Sequence, residues 1–227
     1  MPVIPFALIE LDDANRVYLP TFARVQRDPA TLARFVEGAV RGTHTLVAPC
    51  AVLVFVLIEP ITRLVFGDQW LAAVPIFRVL WLANLIVPTT TAVLALLAAL
   101  GDTRTNLRFA LVWLIATWLL GVPLVLAAGG LGYALANTIV LATNLVLFRV
   151  ARQRAPLRLL PATAPVWLWA ATVGILAHAA TRVFPCEGLA QLAAYLVAGG
   201  ALYLLGLFAL ARRDLAQVWA WSRGRAS

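Results

Sequence analysis

Lysine is absent from this chain: all 18 of its basic residues are arginine, set against 10 acidic residues and 2 histidines. The preference for arginine reads as codon composition rather than function. Charge as a whole is scarce, at 12% of residues, where a soluble domain carries about a quarter. That shortage excludes an ordinary water-soluble fold. Cysteine is also sparse. Cys50 lies in an apolar stretch and Cys186 in a connecting turn, a placement that defines neither a disulfide nor a metal site. There is no GxSxG, no Walker motif and no HExxH. His44 and His178 are far apart, and His178 reads as a packing residue more readily than as a ligand. Asp12 and Asp13 form the one acidic pair able to hold a metal on a diphosphate, with a solvated turn as the simpler reading. The chain is therefore not expected to be an enzyme, and no cofactor or metal is expected.

What the chain has in excess is apolar residues, 63% of the total, with a mean hydropathy of +0.90. Lipid is the natural solvent for such a sequence, and about 20 apolar residues make one helical crossing. Six runs are long enough, near 43–66, 72–100, 109–127, 131–148, 163–183 and 189–211. No sustained alternation of period two supports strands, and only helices or closed barrels satisfy the backbone in lipid. The expected fold is all-α, a polytopic membrane protein of six transmembrane helices. Its expected parts are a cytoplasmic or interfacial segment over 1–42, a six-helix bundle over 43–211 and a basic tail over 212–227.

A net charge of +8 would suit nucleic acid, but its arrangement does not. Arg16, Arg24, Arg27, Arg34 and Arg41 precede the first run, and Arg104 and Arg108 separate the second from the third. Arg149, Arg152, Arg154 and Arg158 separate the fourth from the fifth, and Arg212, Arg213, Arg223 and Arg225 follow the sixth. The intervening turns FGDQW, AAGGLG and FPCEG contain no arginine. This alternation follows the positive-inside rule and places both termini in the cytoplasm. It predicts the lipid bilayer, and no nucleic acid, as a partner.

Local signals fill in the outline. MPVIPFALIEL is too short to span and lacks the basic start of a signal peptide, so it reads as a stump or a re-entrant piece. Asp28-Pro29 is a helix start, with aspartate as cap and proline in the first turn. The helix that follows aligns Leu32, Phe35, Val36, Ala39 and Val40 on one side, as an interfacial amphipathic helix does. Gly67 ends the first crossing, because glycine tolerates the backbone a helix stop needs, and Trp70 belongs at the interface.

Polar residues inside the runs are expensive in lipid and so are the candidate functional residues. Glu59 and Arg63, four apart, read as a neutralising pair. Arg78 stands eight residues beyond Trp70, about 12 Å of helix rise below the interface, and either snorkels outward or lines an aqueous cavity. Thr89, Thr90 and Thr91 follow Pro88 and are placed to patch the backbone groups it frees. Tyr133, Asn137 and Asn144 share one helical face, as helix–helix glue or as a cavity lining. Gly132 and Ala136 form a small-xxx-small pair that suggests a close helix contact. Arg78, Asn137 and Asn144 are the substrate-cavity candidates.

Four motifs carry a resemblance. YLPTFARVQRDPATLARFVEGAVR (18–41), ITRLVFGDQWLAAVPIFRVLWLA (61–83), LLAALGDTRTNLRFAL (96–111) and GGLGYALANTIV (129–140) occur in the order and spacing of one family. They resemble the C-terminal half of polysaccharide flippases in the multidrug/oligosaccharidyl-lipid/polysaccharide exporter superfamily. The resemblance covers 18–150, with hydropathy alone beyond. It implies the second lobe of an ion-coupled, alternating-access exporter of lipid-linked oligosaccharides in the bacterial cytoplasmic membrane. It also implies a missing N-terminal lobe or a partner chain, since alternating access needs two halves around one site. The expectation is a fragment or partial gene product, inactive or partner-dependent by itself. The rival is a six-helix scaffold or subunit of envelope polysaccharide assembly without transport.

Overall fold

A computed structural model of the chain describes residues 28–223, with side chains through residue 208 apart from that of Pro29. The stump at 1–11, the Asp12–Asp13 pair and the side chains of the tail at 212–227 lie outside the described residues. Among the described residues there is no strand. The elements are α1 (Pro29–Ile61), a π turn (Thr62–Phe66), a 3₁₀ turn (Asp68–Ala73), α2 (Val74–Asn84), α3 (Val87–Ala99), α4 (Thr103–Ala142), α5 (Asn144–Arg154), α6 (Leu159–Val183) and α7 (Leu189–Arg223).

The start of α1 follows the sequence signal. Asp28 accepts from the Ala30 amide at 3.0 Å and from the Thr31 hydroxyl. From there α1 runs unbroken for 33 residues, the amphipathic start leading directly into the first apolar run. Leu32, Val36 and Val40 are fully buried in one cluster with Leu96 and Leu97 of α3 and Leu147 and Ala151 of α5. The apolar side of this segment therefore meets protein and not the bilayer surface, while Phe35 stays half exposed. Further along, Ala48 and Leu53 of α1 join Val166, Ala170 and Val173 of α6 and Tyr203 of α7 in a second cluster. A Cβ on Gly174 would come within 2.2 Å of Val52, and one on Gly199 within 2.5 Å of Leu53. Such close approach replaces, in lipid, the hydrophobic drive that packs helices in water.

One polar contact anchors this seam. Pro49 has no N–H, so the carbonyl of Thr45, four residues back, loses its helical partner. The Tyr203 hydroxyl donates to that carbonyl at 3.0 Å. The Trp169 indole in turn donates to the Tyr203 carbonyl at 3.1 Å, and Trp81 donates to the Ala51 carbonyl at 2.8 Å. The second apolar run breaks between α2 and α3, just before Pro88. Thr90 and Thr91 donate to the carbonyls of Ile86 and Val87, both at 3.2 Å, and Thr89 turns to His44. None of these bonds reaches the Asn84 carbonyl, which is the one that Pro88 frees.

Among the described residues, five helical stretches are long and apolar enough to cross a membrane: Ala30–Phe66, Asp68–Ala99, Thr103–Arg154, Leu159–Val183 and Leu189–Phe208. The third is not one rod. Gly129 takes φ 56°, ψ −131°, a conformation only glycine adopts freely. A Cβ on Gly132 would lie 1.7 Å from the Leu124 carbonyl oxygen. In a continuous helix those residues would be about 12 Å apart along the axis, so the chain turns back on itself at 129. Arms 103–128 and 130–154 are about 38 Å long each, enough for one crossing apiece. Six apolar arms result, which is the number the sequence calls for.

At the end of the bundle away from the FGDQW turn, the loops are tied to the helices. Asp102 caps α4 by accepting from the Thr105 amide at 3.2 Å and pairs with Arg154 of α5 at 2.9 Å. Hydrogen bonding from Thr105, with the nearby charge of Arg154, holds its carboxyl below the usual carboxylate range.

Two outcomes are expected. Gly132→Ala forces the two arms apart at the turn, and the folded fraction recovered in mild detergent falls steeply, read by size-exclusion monodispersity. Tyr203→Phe leaves the Thr45 carbonyl unpaired and lowers stability by on the order of 1 kcal/mol, the scale of a hydrogen bond between membrane helices, read as a drop in thermal midpoint with unchanged helicity.

Candidate functional site

The charged residues of the first hairpin converge at its turn. Glu59 sits in the last turn of α1, next to Pro60, and Arg63 lies on the π turn. A π turn re-aims the side chains around it and is common at functional positions. Gly67, at φ 92°, closes the π turn with its amide on the Thr62 carbonyl at 2.9 Å. Asp68 opens the 3₁₀ turn, and Arg78 is one turn into α2. Glu59 faces both arginines at 3.8 Å, and Arg63 also faces Asp68 at 3.4 Å. Two acids and two bases thus form a neutral chain of ion pairs. The Arg78 guanidinium also stands 5.9 Å from the Phe55 ring centroid. The sequence pairs Glu59 with Arg63 correctly but leaves out Arg78, which reaches Glu59 from the next helix. The cluster is partly open: Glu59 is 53% exposed and Arg78 39%, with the Arg78 Nε buried and without a hydrogen-bond partner among the described residues.

The other candidates lie apart from this cluster. Asn144 is 1% exposed, and neither end of its amide finds a hydrogen-bond partner among the described residues. The Asn137 amide nitrogen is likewise buried without a partner. Tyr133 is 51% exposed and so does not share their environment. The expected stripe is thus reduced to Asn137 and Asn144, whose amide nitrogens stay buried on either side of the turn at Thr143. Gly132 and Ala136 are buried, in keeping with a close helix contact.

A buried polar node escapes the sequence reading. His44 of α1 is 3% exposed, with Nε2 at 2.7 Å from the Thr89 hydroxyl of α3. The Trp167 indole of α6 donates to its Nδ1 at 3.2 Å. An indole N–H only donates, so Nδ1 accepts and the ring proton sits on Nε2, toward Thr89. His44 is therefore a neutral tie among three helices. His178 is exposed on the surface of α6. Partners 45 and 123 residues away leave no local pattern by which His44 stands out.

Residues 4–75 match a family described as polysaccharide biosynthesis protein. No curated protein and no solved structure matches the chain. The matched stretch takes in α1, Glu59, Arg63 and Asp68, and stops short of Arg78. Over that stretch, about a third of the chain, the protein is similar to polysaccharide biosynthesis proteins, and its apolar helices are those of an all-α membrane protein.

If the ion cluster faces water, a cysteine at position 78 is open to it. In a Cys50→Ser, Cys186→Ser background, Arg78→Cys is expected to react with a small charged thiol reagent within minutes in intact vesicles. Protection from that reagent, with strong quenching of a fluorophore at 78 by a lipid-phase nitroxide, would place Arg78 against the bilayer instead.

Proposed function

We propose that this chain forms one lobe, the second, of a flippase that moves lipid-linked polysaccharide precursors across the bacterial cytoplasmic membrane. In this reading both termini face the cytoplasm and the FGDQW turn faces outward, following the distribution of arginine. The single observation that carries it is the exposed ion cluster around Arg78. An open guanidinium and carboxylate about 12 Å below the interface are too costly against lipid and require water or a second protein surface beside them. A central cavity between two lobes supplies both. The family similarity over 4–75 supports a cargo drawn from polysaccharide biosynthesis. Glu59 and Arg78 then line the cavity, and an anionic diphosphate competes with Glu59 for Arg78. Transport of this kind involves no covalent step, and the chain is not an enzyme in this reading.

A second reading has its own observation. Glu59 already neutralises Arg78, so the cluster is complete without a substrate, as it would be in a scaffold of envelope polysaccharide assembly.

A leaflet assay separates them. A fluorescent polyprenyl-diphosphate saccharide is loaded into proteoliposomes, and its arrival in the outer leaflet is read by an impermeant quencher. The chain alone is expected to match protein-free vesicles. Joined to a flippase N-terminal lobe it is expected to raise the rate at least tenfold, and Arg78→Ala to remove most of that gain. Flipping by the isolated chain would defeat the one-lobe reading, and no flipping with a second lobe would favour the scaffold.

A further inference from the structure

Away from the ion cluster, at the other end of the bundle, a cavity of about 550 Å³ opens between the end of α5 and the start of α6. Arg152, Pro156, Leu157, Arg158, Leu160 and Pro161 line it. It is a broad groove, open along one side, rather than an enclosed pocket. The walls are fixed by the chain around them. Leu157 is buried in the core beside Leu159, its amide is bonded to the Ala155 carbonyl at 2.8 Å, and the Arg158 amide donates to the Glu37 carboxylate. Pro156 and Pro161 stiffen the approach on both sides.

The two arginines are available. Arg154, between them in sequence, is taken by Asp102, whereas the guanidiniums of Arg152 and Arg158 form no ion pair among the described residues; Glu37 meets Arg158 at its backbone amide. The cavity also sits at a bilayer boundary. One apolar stretch ends at Arg154 and the next begins at Leu159. Two guanidiniums therefore stand at headgroup level, where Arg forks bind phosphate oxygens in pairs. Leu160, 70% exposed, adds apolar surface to the same groove.

From this arrangement we infer a lipid site: the cavity holds the headgroup phosphate of an anionic phospholipid, bound by Arg152 and Arg158, with the upper acyl chain along Leu160 and Pro161. The site does not depend on transport. It rests on the span ends and the cavity alone, and it stays in place under the scaffold reading.

The test uses the full chain in a mild neutral detergent, titrated with short-chain phosphatidylglycerol, phosphatidylcholine or inorganic phosphate, and read by native mass spectrometry and thermal midpoint. Phosphatidylglycerol is expected to bind one molecule saturably and to raise the midpoint, while phosphatidylcholine and inorganic phosphate do neither. Arg152→Gln and Arg158→Gln should each weaken binding about fivefold, the effect of one basic residue near a charged lipid. Arg149→Gln removes the same charge from the same basic stretch but lies outside the cavity, and should stay within twofold of the parent. Equal binding of phosphatidylcholine, or equal loss with Arg149→Gln, would reduce the site to general surface charge and overturn the inference. Inorganic phosphate displacing the lipid at equal concentration would overturn it in favour of a soluble anion. The comparison of the three ligands on the parent chain needs no variant to fold.

Discussion

The carbonyl of Thr45 has no amide to meet, because the residue four places on is Pro49. In water that vacancy would be filled by solvent at little cost. Inside a bilayer it must be filled by protein, and Tyr203 fills it from α7. Much else is arranged around the same helix. One stretch of α1 packs against α3 and α5, the next against α6 and α7, and His44 ties it to α3 and α6 between the two clusters. A proline that would weaken a soluble helix here fixes which neighbour must stand beside it. The requirement to satisfy every backbone group turns a local defect into a specification of tertiary structure.

The two ends of the bundle carry different electrostatics. At the FGDQW end, acids and bases are matched one to one and left open. At the other end the arginines outnumber the acids, and Asp102 occupies only Arg154. The first arrangement suits a surface that exchanges partners, since a matched pair is displaced by another ion at small net cost. The second suits a surface that holds one sign of charge and keeps a fixed orientation. These two needs are separated by the full thickness of the membrane, so neither compromises the other.

How far the sequence foretells this can be followed residue by residue. Asp28, Gly67 and the break at 129 are legible because each depends on its immediate neighbours: a cap, a positive φ, a chain reversal between apolar runs. The number of apolar arms and the absence of strands among the described residues follow from hydropathy in the same way. What covers the start of α1 was not legible, because an amphipathic stretch reads the same whether lipid or protein meets its apolar side. Nor was the Glu59–Arg78 pair, since Glu59 has a sufficient partner four residues away in Arg63. Proline announces a free carbonyl at Thr45, but nothing in the sequence says that the donor comes 158 residues later. What hydrogen bonds across helices decide is invisible to any local rule.

The reversal at Gly129 bears on how the protein is made. The turn AAGGLG has no charged residue, and the arm before it is almost entirely apolar and exposed along its length. Nothing in such a turn can hold one arm at the membrane surface while the other waits. What fixes the depth of the two arms is charge at their far ends: Arg104 and Arg108 open the first, and Arg149, Arg152 and Arg154 close the second. An uncharged tip between two charged ends leaves the hairpin as the smallest unit whose position in the membrane is defined.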